Sequence, residues 1–300
     1  MDDEQLEAYI KLGELHSSIL KSIAENIRPG VKVLEIVERS EEAVIREGYK
    51  LAFPTNLSIN EVAAHYTPHP SDETVVPEGA VVKLDMGSHF NGLIVDAARS
   101  ITLDERYEEM VQVAKDALDK AIEKMIPGNK IREASEAIYE TIVSAGYRPI
   151  HNLTGHKIEE FRLHAGVDVP NVPVRGKRYR IKEGDVFAIE PFVTLPEARG
   201  LVAPAGDPLI FSFRKKVRTR DEMERKVIKL IEKGYNKLPF CERWLARELG
   251  HRVNHALLRL VKRGALISYP PLVEITGKVV AQYEDTVLVT ADGPLRLTGE

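Results

Sequence analysis

Residues 80–99 read AVVKLDMGSHFNGLIVDAAR, and their alternating pattern is interrupted only by Asn91-Gly92. Asn-Gly suits the positive φ angles of a two-residue hairpin turn. Folded there, the hairpin places Gly87 opposite Asp96, so Asp85 and Asp96 project from one face as diagonal neighbours. Two carboxylates on a buried face repel each other and lose hydration unless cations neutralise them. If that face is exposed to solvent, both are ordinary surface acids. The hairpin alone favours neither interpretation.

Size and composition are those of a globular protein. The chain has 300 residues, of which 43% are hydrophobic and 29% charged, enough for one large domain or two modest ones. The net charge of −4 does not indicate a basic nucleic-acid-binding surface, so nucleic acid is not a favoured partner.

Cysteine usage and the N-terminus predict a cytoplasmic protein. The single cysteine, Cys241, cannot form an internal disulfide, which suits a reducing compartment. The start, MDDEQLEAYI, lacks the basic residues and apolar core of a signal peptide. Because no apolar run approaches the length that spans a bilayer, we expect no membrane partner.

Periodicity predicts an alternation of helices and strands along the chain. Helices are expected over residues 3–28, 33–48, 105–126, 131–145 and within 220–264. DVFAIEPFVTL, FSFRKKVR, VVAQYEDTVLV and PLRL have the composition of strands, the last two flanking Asp292-Gly293.

The chain contains an internal repeat. Pro29-Gly30 and Gly48-Tyr49 recur at a constant offset as Pro127-Gly128 and Gly146-Tyr147, with lysine and glutamate matches between them. PEGAVVKLD, residues 77–85, then aligns with KEGDVFAIE, residues 182–190, which places Asp85 on Glu190. Matches in the same order predict two related halves about an approximate two-fold axis.

The second half should therefore contain its own pair of acids. The best partner for Glu190 is Glu284, on the returning strand VVAQYEDTVLV. The charged helical segment 217–270 is then an insertion between the two strands, although an independent small domain remains an alternative.

Four convergent carboxylates, Asp85, Asp96, Glu190 and Glu284, carry too much charge for one buried cation. Two divalent metal ions roughly 3.5–4 Å apart would accommodate them and would activate water for hydrolysis. A histidine from GHKIEEFRLHAG among oxygen ligands favours Mn, Fe, Co or Zn over calcium. The alternative is that the carboxylates form salt bridges with Lys83, Arg99 or Lys157.

These motifs resemble those of a known family. Asp85 and Asp96, GHKIE…LHAG, FAIEP and QYEDT resemble, in the same order, the metal-site motifs of methionine aminopeptidases. The insertion ending in YPPL resembles type II members, and the short N-terminus resembles archaeal ones. The resemblance covers nearly the whole chain. It implies the α+β pita-bread fold with pseudo-two-fold halves, as a single catalytic domain over residues 1–300 with 217–270 inserted.

The resemblance also implies roles for individual residues. The ligands of two divalent metal ions would be Asp85, Asp96, His156, Glu190 and Glu284, with Asp96 and Glu284 bridging. His65 would lie beside the scissile amide, and His164 would hydrogen-bond the substrate carbonyl. Phe53, Leu163 and Tyr269 would form the methionine pocket. The other histidines are interpreted as ordinary partly buried residues: His16, His69, His89, His151, His251 and His255.

The implied reaction removes the N-terminal methionine of nascent proteins when the next residue is small. A metal-bound hydroxide would attack the first peptide bond, with Glu190 moving the proton toward the leaving amine. The expected partners are nascent N-termini at the ribosome, with no specific nucleic acid, and the expected state is a monomer. Two alternatives are a prolidase, and a pita-bread protein that binds RNA or proteins without catalysis.

One residue departs from the family pattern. Histidine usually follows the last glutamate, whereas this chain has Asp285. On a strand its side chain points away from the face of Glu284, so the metal ligands should be retained. An extra acid nearby could alter metal preference or pH dependence.

Overall fold

The hairpin predicted around Asn91-Gly92 dominates the first half of the structure. A computed structural model describes residues 2–176, 178–250 and 252–299. Strands Val81–Phe90 and Leu93–Thr102 pair antiparallel, with Gly87 opposite Asp96 as predicted. Asn91 and Gly92 have φ angles of 48° and 94°, which are the angles that a tight hairpin turn requires. The dipeptide therefore fixes the register that brings the two acids to one face.

Seven α-helices and eighteen short or long strands occur in the described residues. The helices are α1 Asp3–Ala24, α2 Val33–Arg46, α3 Glu108–Ile122, α4 Ile131–Ser144, α5 Glu222–Gly234, α6 Glu242–Leu249 and α7 Val253–Lys262. The first nine strands are β1 Lys50–Leu51, β2 Asn56–Ile59, β3 Val62–Ala64, β4 Val81–Phe90, β5 Leu93–Thr102, β6 Arg148–Pro149, β7 Thr154–Ile158, β8 Asp168–Pro170 and β9 Val186–Ile189. The others are β10 Phe192–Thr194, β11 Val202–Pro204, β12 Ile210–Phe213, β13 Phe240–Cys241, β14 Leu266–Tyr269, β15 Leu272–Glu274, β16 Val280–Gln282, β17 Asp285–Thr290 and β18 Gly293–Arg296.

Two helices and one strand end clearly earlier than the sequence predicts. Helix α1 ends at Ala24 rather than at residue 28, because Ile27 stays buried in the turn that follows and so prolongs the apolar spacing. Helix α3 ends at Ile122 for the same reason, since Met125 is buried beyond its end. Strand β12 ends at Phe213, because the charged residues after it have no neighbouring strand to pair with.

The two halves repeat the same backbone arrangement. The amides of Gly30 and Gly128 donate to the carbonyls of Val76 and Ile181, each at 2.8 Å. One residue before each following helix, Lys32 and Lys130 form isolated antiparallel bridges, to Val75 and Arg180 respectively. Helices α2 and α4 thus pack equivalently in their halves, as the repeat predicts.

The halves join edge to edge in the middle of the molecule. In the first half β5, β4 and β2 are neighbours; in the second the order is β18-β17-β9-β7-β8. Ala98 of β5 and Glu284 beside β17 exchange two backbone hydrogen bonds of 3.2 and 3.0 Å. Because β9 pairs antiparallel with β17, the strands carrying the four predicted acids adjoin one another.

Apolar helix faces cover the outer side of these sheets. Helices α1 and α2 pack on β4 in one core, and α3 and α4 pack on β9 and β17 in another. The helices α5, α6 and α7 share a separate core, centred on Val227, Leu245 and Leu257, between β12 and β14. None of the helices described is both long enough and apolar enough to cross a bilayer.

Candidate metal centre

The predicted metal ligands meet where the two halves join. Asp85 and Asp96 come from β4 and β5, and His156 comes from β7. Glu190 directly follows β9, and Glu284 directly precedes β17. Asp96, His156 and Glu284 each offer a ligand atom within 4.8 Å of the others. The His156 Nε2 atom lies 3.5 Å from Asp96 Oδ2 and 3.8 Å from Glu190 Oε1.

All ten predicted site residues line a single cavity of about 90 Å³. Besides the four acids and the histidine just described, they include two more histidines and three pocket residues. Those five are Phe53, His65, Leu163, His164 and Tyr269. None of the other five histidines that the structure describes lines this cavity. His251 lies outside the described residues.

Burial and mutual repulsion oppose ionisation of the carboxyl groups. Burial raises the pKa of Asp96 to about 8. The pKa values of Asp85, Glu190 and Glu284 are also raised well above their ordinary values. Burial is the largest cause for each, and repulsion by the Asp96 carboxylate is the second largest. Burial lowers the pKa of His156 to about 4, which keeps its imidazole neutral. A cation bound among these groups would stabilise the ionised carboxylates, and the neutral imidazole could bind it as well.

The surroundings of the acids fit metal ions better than salt bridges. Lys83 donates to two backbone carbonyls, Lys157 pairs with Asp185 at 2.9 Å, and Arg99 pairs with Asp285 at 2.9 Å. The salt-bridge alternative is therefore wrong for these three cations. Among the described residues, the buried Oδ1 atoms of Asp85 and Asp96 have no hydrogen-bond donor. Unsatisfied carboxylate oxygens next to an imidazole are suitable donors for a divalent metal ion.

Two of the predicted histidines face the acids from the cavity wall. The His164 ring stacks on His156, with centroids 4.0 Å apart. Burial, with a smaller contribution from the neighbouring His156, lowers the pKa of His164 to about 3. Burial lowers the pKa of His65 to about 4, with His164 adding to the effect. Both imidazoles are thus neutral near pH 7 and can donate one hydrogen bond each.

The predicted pocket residues form the less polar side of the cavity. Phe53 lies directly over Gly87, where an added Cβ would come within 2.1 Å of the phenyl ring. Tyr269 packs its ring edge against His65, at 5.8 Å between centroids, and its hydroxyl lies 3.0 Å from Ser212 Oγ. His65 has a φ of 64°, a backbone conformation that residues other than glycine rarely adopt. Its position is therefore determined by the fold around it.

Several residues of the site were missed by the sequence argument. Gln282 Nε2 donates to Glu284 at 3.0 Å, and Asn56 Nδ2 donates to Asp85 at 3.2 Å. Gln282 lies two residues before Glu284 in QYEDT, a spacing that places both side chains on one face of an extended strand, whereas nothing local shows that the Asn56 amide reaches Asp85. Ile210 and Pro239 also line the cavity. They arrive from distant segments, which only the tertiary structure reveals.

The unusual Asp285 points away from the metal ligands, as the strand geometry predicts. It is fully buried, and it accepts hydrogen bonds from Arg99 at 2.9 Å, Arg296 at 2.6 Å and Thr298 at 2.8 Å. Arg99 also donates to the carbonyl of Glu284 at 2.7 Å. The aspartate therefore holds an arginine that is bonded to the backbone of a predicted ligand.

Asp285→Asn is expected to lower the free energy of unfolding by about 3–5 kcal/mol, because it leaves two guanidinium groups without a buried counter-charge. Denaturant unfolding of the metal-free protein measures this loss. Asp207→Asn, at an exposed position, is the matched control and should change stability by less than about 0.5 kcal/mol. Equal stability of both variants would show that Asp285 does not stabilise the junction of the halves.

Sequence comparisons define the class of protein. The model of metallopeptidase family M24 matches residues 7–291, so the chain belongs to this family. A methionine aminopeptidase of Thermococcus kodakarensis is 43% identical over 291 residues, covering 97% of this chain and 98% of that protein. A methionine aminopeptidase of Methanocaldococcus jannaschii is 39% identical over 293 residues, covering 98% of each.

Solved structures confirm the pita-bread fold. The methionine aminopeptidase of Thermotoga maritima superposes with a TM-score of 0.73 at 24% identity, covering 100% of this chain and 98% of that one. A thermophilic Arx1 gives a TM-score of 0.89 at 16% identity, covering 100% and 92%. The prolidase of Pyrococcus horikoshii gives 0.62 at 18% identity, covering 99% and 62%. At these identities the likeness shows the fold and leaves the activity to be argued from the site.

Proposed function

We propose that this M24 metallopeptidase is a methionine aminopeptidase, which removes the N-terminal methionine from nascent proteins and peptides when the next residue is small. The observation that carries the proposal is the convergence of four carboxylates and three histidines on one cavity with an apolar side. The full-length similarity to proteins named methionine aminopeptidase supports it. An M24 metallopeptidase requires a divalent metal ion, and the donor set here suits one.

We infer that Asp85, Asp96, His156, Glu190 and Glu284 hold two divalent ions, which could be Mn, Fe, Co or Zn. The four negative charges of these carboxylates exceed what one ion of ordinary coordination neutralises. Bound there, the ions would supply an activated water and a Lewis acid for the peptide carbonyl. Gln282 and Asn56 would orient the carboxylates of Glu284 and Asp85, through the hydrogen bonds described above.

The chain's own groups can provide the proton transfer and the oxyanion contact. Glu190 lies at the cavity wall with a pKa well above its ordinary value, so it can accept a proton and return it to the leaving amine. His164 is neutral and faces the same space, so its N–H can stabilise negative charge on the substrate carbonyl. His65, which lines the cavity beside Tyr269, would hydrogen-bond the scissile amide.

We further propose that the chain is a single catalytic domain in which 217–270 is an inserted helical subdomain of the type II kind. The separate core of α5, α6 and α7 supports this division. A buried ion pair attaches the segment to the first half: Arg243 contacts Glu41 at 2.6 Å. Tyr269, at the end of β14, brings the segment to the cavity. We expect a monomeric enzyme that acts in the cytoplasm at the ribosome.

Tyr269→Ala is expected to raise KM for a methionyl peptide by about tenfold to a hundredfold, because the methionine side chain loses an aromatic wall. Metal affinity, measured by calorimetry, should change by less than about twofold, because the ring and hydroxyl of Tyr269 interact with His65 and Ser212, which are not predicted ligands. Tyr139→Ala, at an exposed tyrosine of α4, is the matched control. Equal losses in KM and metal affinity would indicate that the segment only supports the site.

Size selection at the second residue follows from the narrow cavity beside His65. We expect efficient cleavage of methionyl peptides before Gly, Ala, Ser, Thr, Val, Pro or Cys, and poor cleavage before Lys, Glu or Phe. A peptide series analysed by mass spectrometry measures this preference. The protein's own Met1, which lies outside the described residues, precedes Asp2 and should be retained. Fast cleavage before Phe would contradict a narrow leaving-group site.

The decisive experiment compares Met-Ala peptides with X-Pro dipeptides under several divalent metals. Cleavage of the methionyl peptides alone supports the proposal. Preferential cleavage of X-Pro dipeptides would indicate a prolidase, whose fold this chain shares. Absence of any peptidase activity in a metal-loaded, folded sample would favour a binding protein with this fold.

A further inference from the structure

A second cleft, remote from the metal centre, lies on the helical segment between β12 and β14. Its volume is about 1160 Å³, and it shares no lining residue with the metal-centre cavity. Six of its ten lining residues are basic and one is acidic. The basic residues are Lys216, Arg218, Arg220, Arg225, Lys229 and Arg263. We call this surface the basic cleft.

One wall of the basic cleft is a strip of sequence with very high charge density. The strip is RKKVRTR, residues 214–220, in which five of seven residues are basic. It has no regular secondary structure, yet its backbone is anchored. The amides of Arg214 and Lys215 donate to the Ala265 carbonyl at 2.9 and 3.2 Å. The carbonyls of Arg218 and Arg220 accept from Arg263 and Arg225.

This anchoring fixes the backbone of the strip and leaves its charged side chains exposed. A charged surface whose backbone is already ordered loses less conformational entropy when it binds a ligand. The strip is therefore preorganised for an extended anion, whereas a flexible basic tail would not be.

The acids near the basic cleft are already engaged in ion pairs, with Lys216 and Arg263 of the cleft or with cations outside it. Glu232 pairs with Lys216 at 3.0 Å. The buried Glu224 pairs with Arg259 at 2.7 Å and with Arg263 at 3.0 Å. The remaining nearby acids, Asp221 and Glu222, pair with Arg259 and Lys226 respectively.

Four cations of the basic cleft consequently lack a counter-charge. Within the described residues, no carboxylate oxygen lies within 4.0 Å of the charged groups of four of its residues, which are Arg218, Arg220, Arg225 and Lys229. All four side chains are exposed. This local excess of positive charge occurs in a protein whose net charge is −4. Net charge averages over the whole surface, so it does not exclude an anionic partner at one face.

We propose that the basic cleft binds the phosphate backbone of RNA without reading its base sequence. Arginine guanidinium groups match phosphate oxygens with two hydrogen bonds each. The strip, with seven residues at about 3.3 Å each, is long enough to meet several phosphates of a polymer rather than a single small anion. Among the described residues, no aromatic side chain lines the cleft, so these residues do not provide the base stacking that single-strand readers use.

Phosphates also suit the cleft better than the carboxylates of an acidic polypeptide. Nucleic-acid phosphates are regularly spaced on a common backbone, whereas carboxylates sit on separate flexible side chains that lose rotamer freedom on binding. The inference rests on the proposed function in one respect: an enzyme that acts on nascent chains works beside ribosomal RNA. The binding itself is independent of peptidase chemistry.

The test is fluorescence anisotropy of the metal-loaded, full-length protein with two labelled single-stranded RNAs of about 20 nucleotides and different sequence. Measurements at about 50 to 200 mM KCl give the salt slope of the affinity. We expect both RNAs to bind equally, with affinity falling steeply as salt rises. The triple variant Arg218→Gln, Arg220→Gln, Lys229→Gln should bind at least about tenfold more weakly and reduce the slope by about 2.

Three exposed lysines elsewhere provide the matched control, Lys21→Gln, Lys124→Gln, Lys130→Gln, which should bind RNA like the unsubstituted protein. Cleavage of a Met-Ala peptide is measured in parallel and should be unchanged in both triple variants. Loss of cleavage in all samples would therefore count against the proposed function and not against RNA binding.

Three results would overturn the proposal. One is RNA binding by the unsubstituted protein with an affinity that does not depend on salt concentration. This salt titration can be made even if the triple variant does not fold. Another is equal RNA affinity in the folded triple variant and the unsubstituted protein. The third is that polyglutamate, added at the same charge concentration, competes as effectively as unlabelled RNA. That result would identify an acidic polypeptide as the partner.

Discussion

Glu190→Gln is expected to lower kcat for a Met-Gly-Ser peptide by about 10²- to 10⁴-fold, the usual contribution of a general base and acid. The glutamine keeps the size and the oxygen of the side chain, but it cannot take up and release a proton near pH 7. Glu190 is placed for such a transfer, because it lines the cavity 3.8 Å from the Nε2 atom of His156 and its pKa is raised well above its ordinary value, mainly by burial.

Since Glu190 is also a proposed metal ligand, the experiment must separate the two roles. Metal content and affinity are measured by calorimetry on the same sample, and kinetics are recorded only with the metal site saturated. Glu183→Gln, at an exposed position shortly before the same strand, should leave kcat and metal affinity unchanged. Near-normal turnover by metal-saturated Glu190→Gln would show that another group moves the proton.

Metal binding is expected to raise the melting temperature by on the order of 10 °C near pH 8, and by progressively less as the pH falls toward 5. A ligand present at about 1,000 times its dissociation constant stabilises by about 4 kcal/mol. This stabilisation should be largest where the carboxyl groups are ionised, because protons compete with metal ions for the same oxygen atoms.

The sign of the pH dependence follows from the raised pKa values. Burial raises the pKa of Asp96 to about 8 in the folded, metal-free protein, against an ordinary value of 3.8. Between these pH values the folded state binds more protons than the unfolded state, so metal-free stability falls as pH rises from about 4 to 8. The metal-loaded protein loses this penalty. The gap between the two melting temperatures should therefore widen with pH.

Calorimetric titration in buffers with different ionisation enthalpies provides a second readout. Metal binding at pH 7 should release protons, because at least Asp96 must lose one to become a ligand. Asp72→Asn is a useful control, since the pKa of Asp72 is lowered and this acid lies outside the cavity. A melting-temperature gap that stays constant from pH 5 to pH 8 would contradict the burial of protonated carboxyl groups at the metal-free site.

The register of the hairpin formed by β4 and β5 was predictable from the sequence, because Asn91-Gly92 defines the turn and the side chains of a strand alternate with a period of two. The pairing of Glu190 with Glu284 was reached through the repeat, and β9 and β17 are indeed neighbours. Helix ends were predicted less well, since buried residues such as Ile27 continue an apolar pattern after the helix has stopped.

By itself, the sequence determined the fold class, the two related halves and ten of the fourteen residues that line the cavity, because periodicity and motif order are properties of the chain. Only the tertiary structure decided which groups support those residues. Asn56 reaches Asp85, Asp285 holds Arg99, and Ile210 completes the cavity. The basic cleft likewise emerges only after α5 and α7 pack beside residues 214–220. Such contacts join residues far apart in the chain, and their partners depend on the packing of whole elements rather than on local spacing.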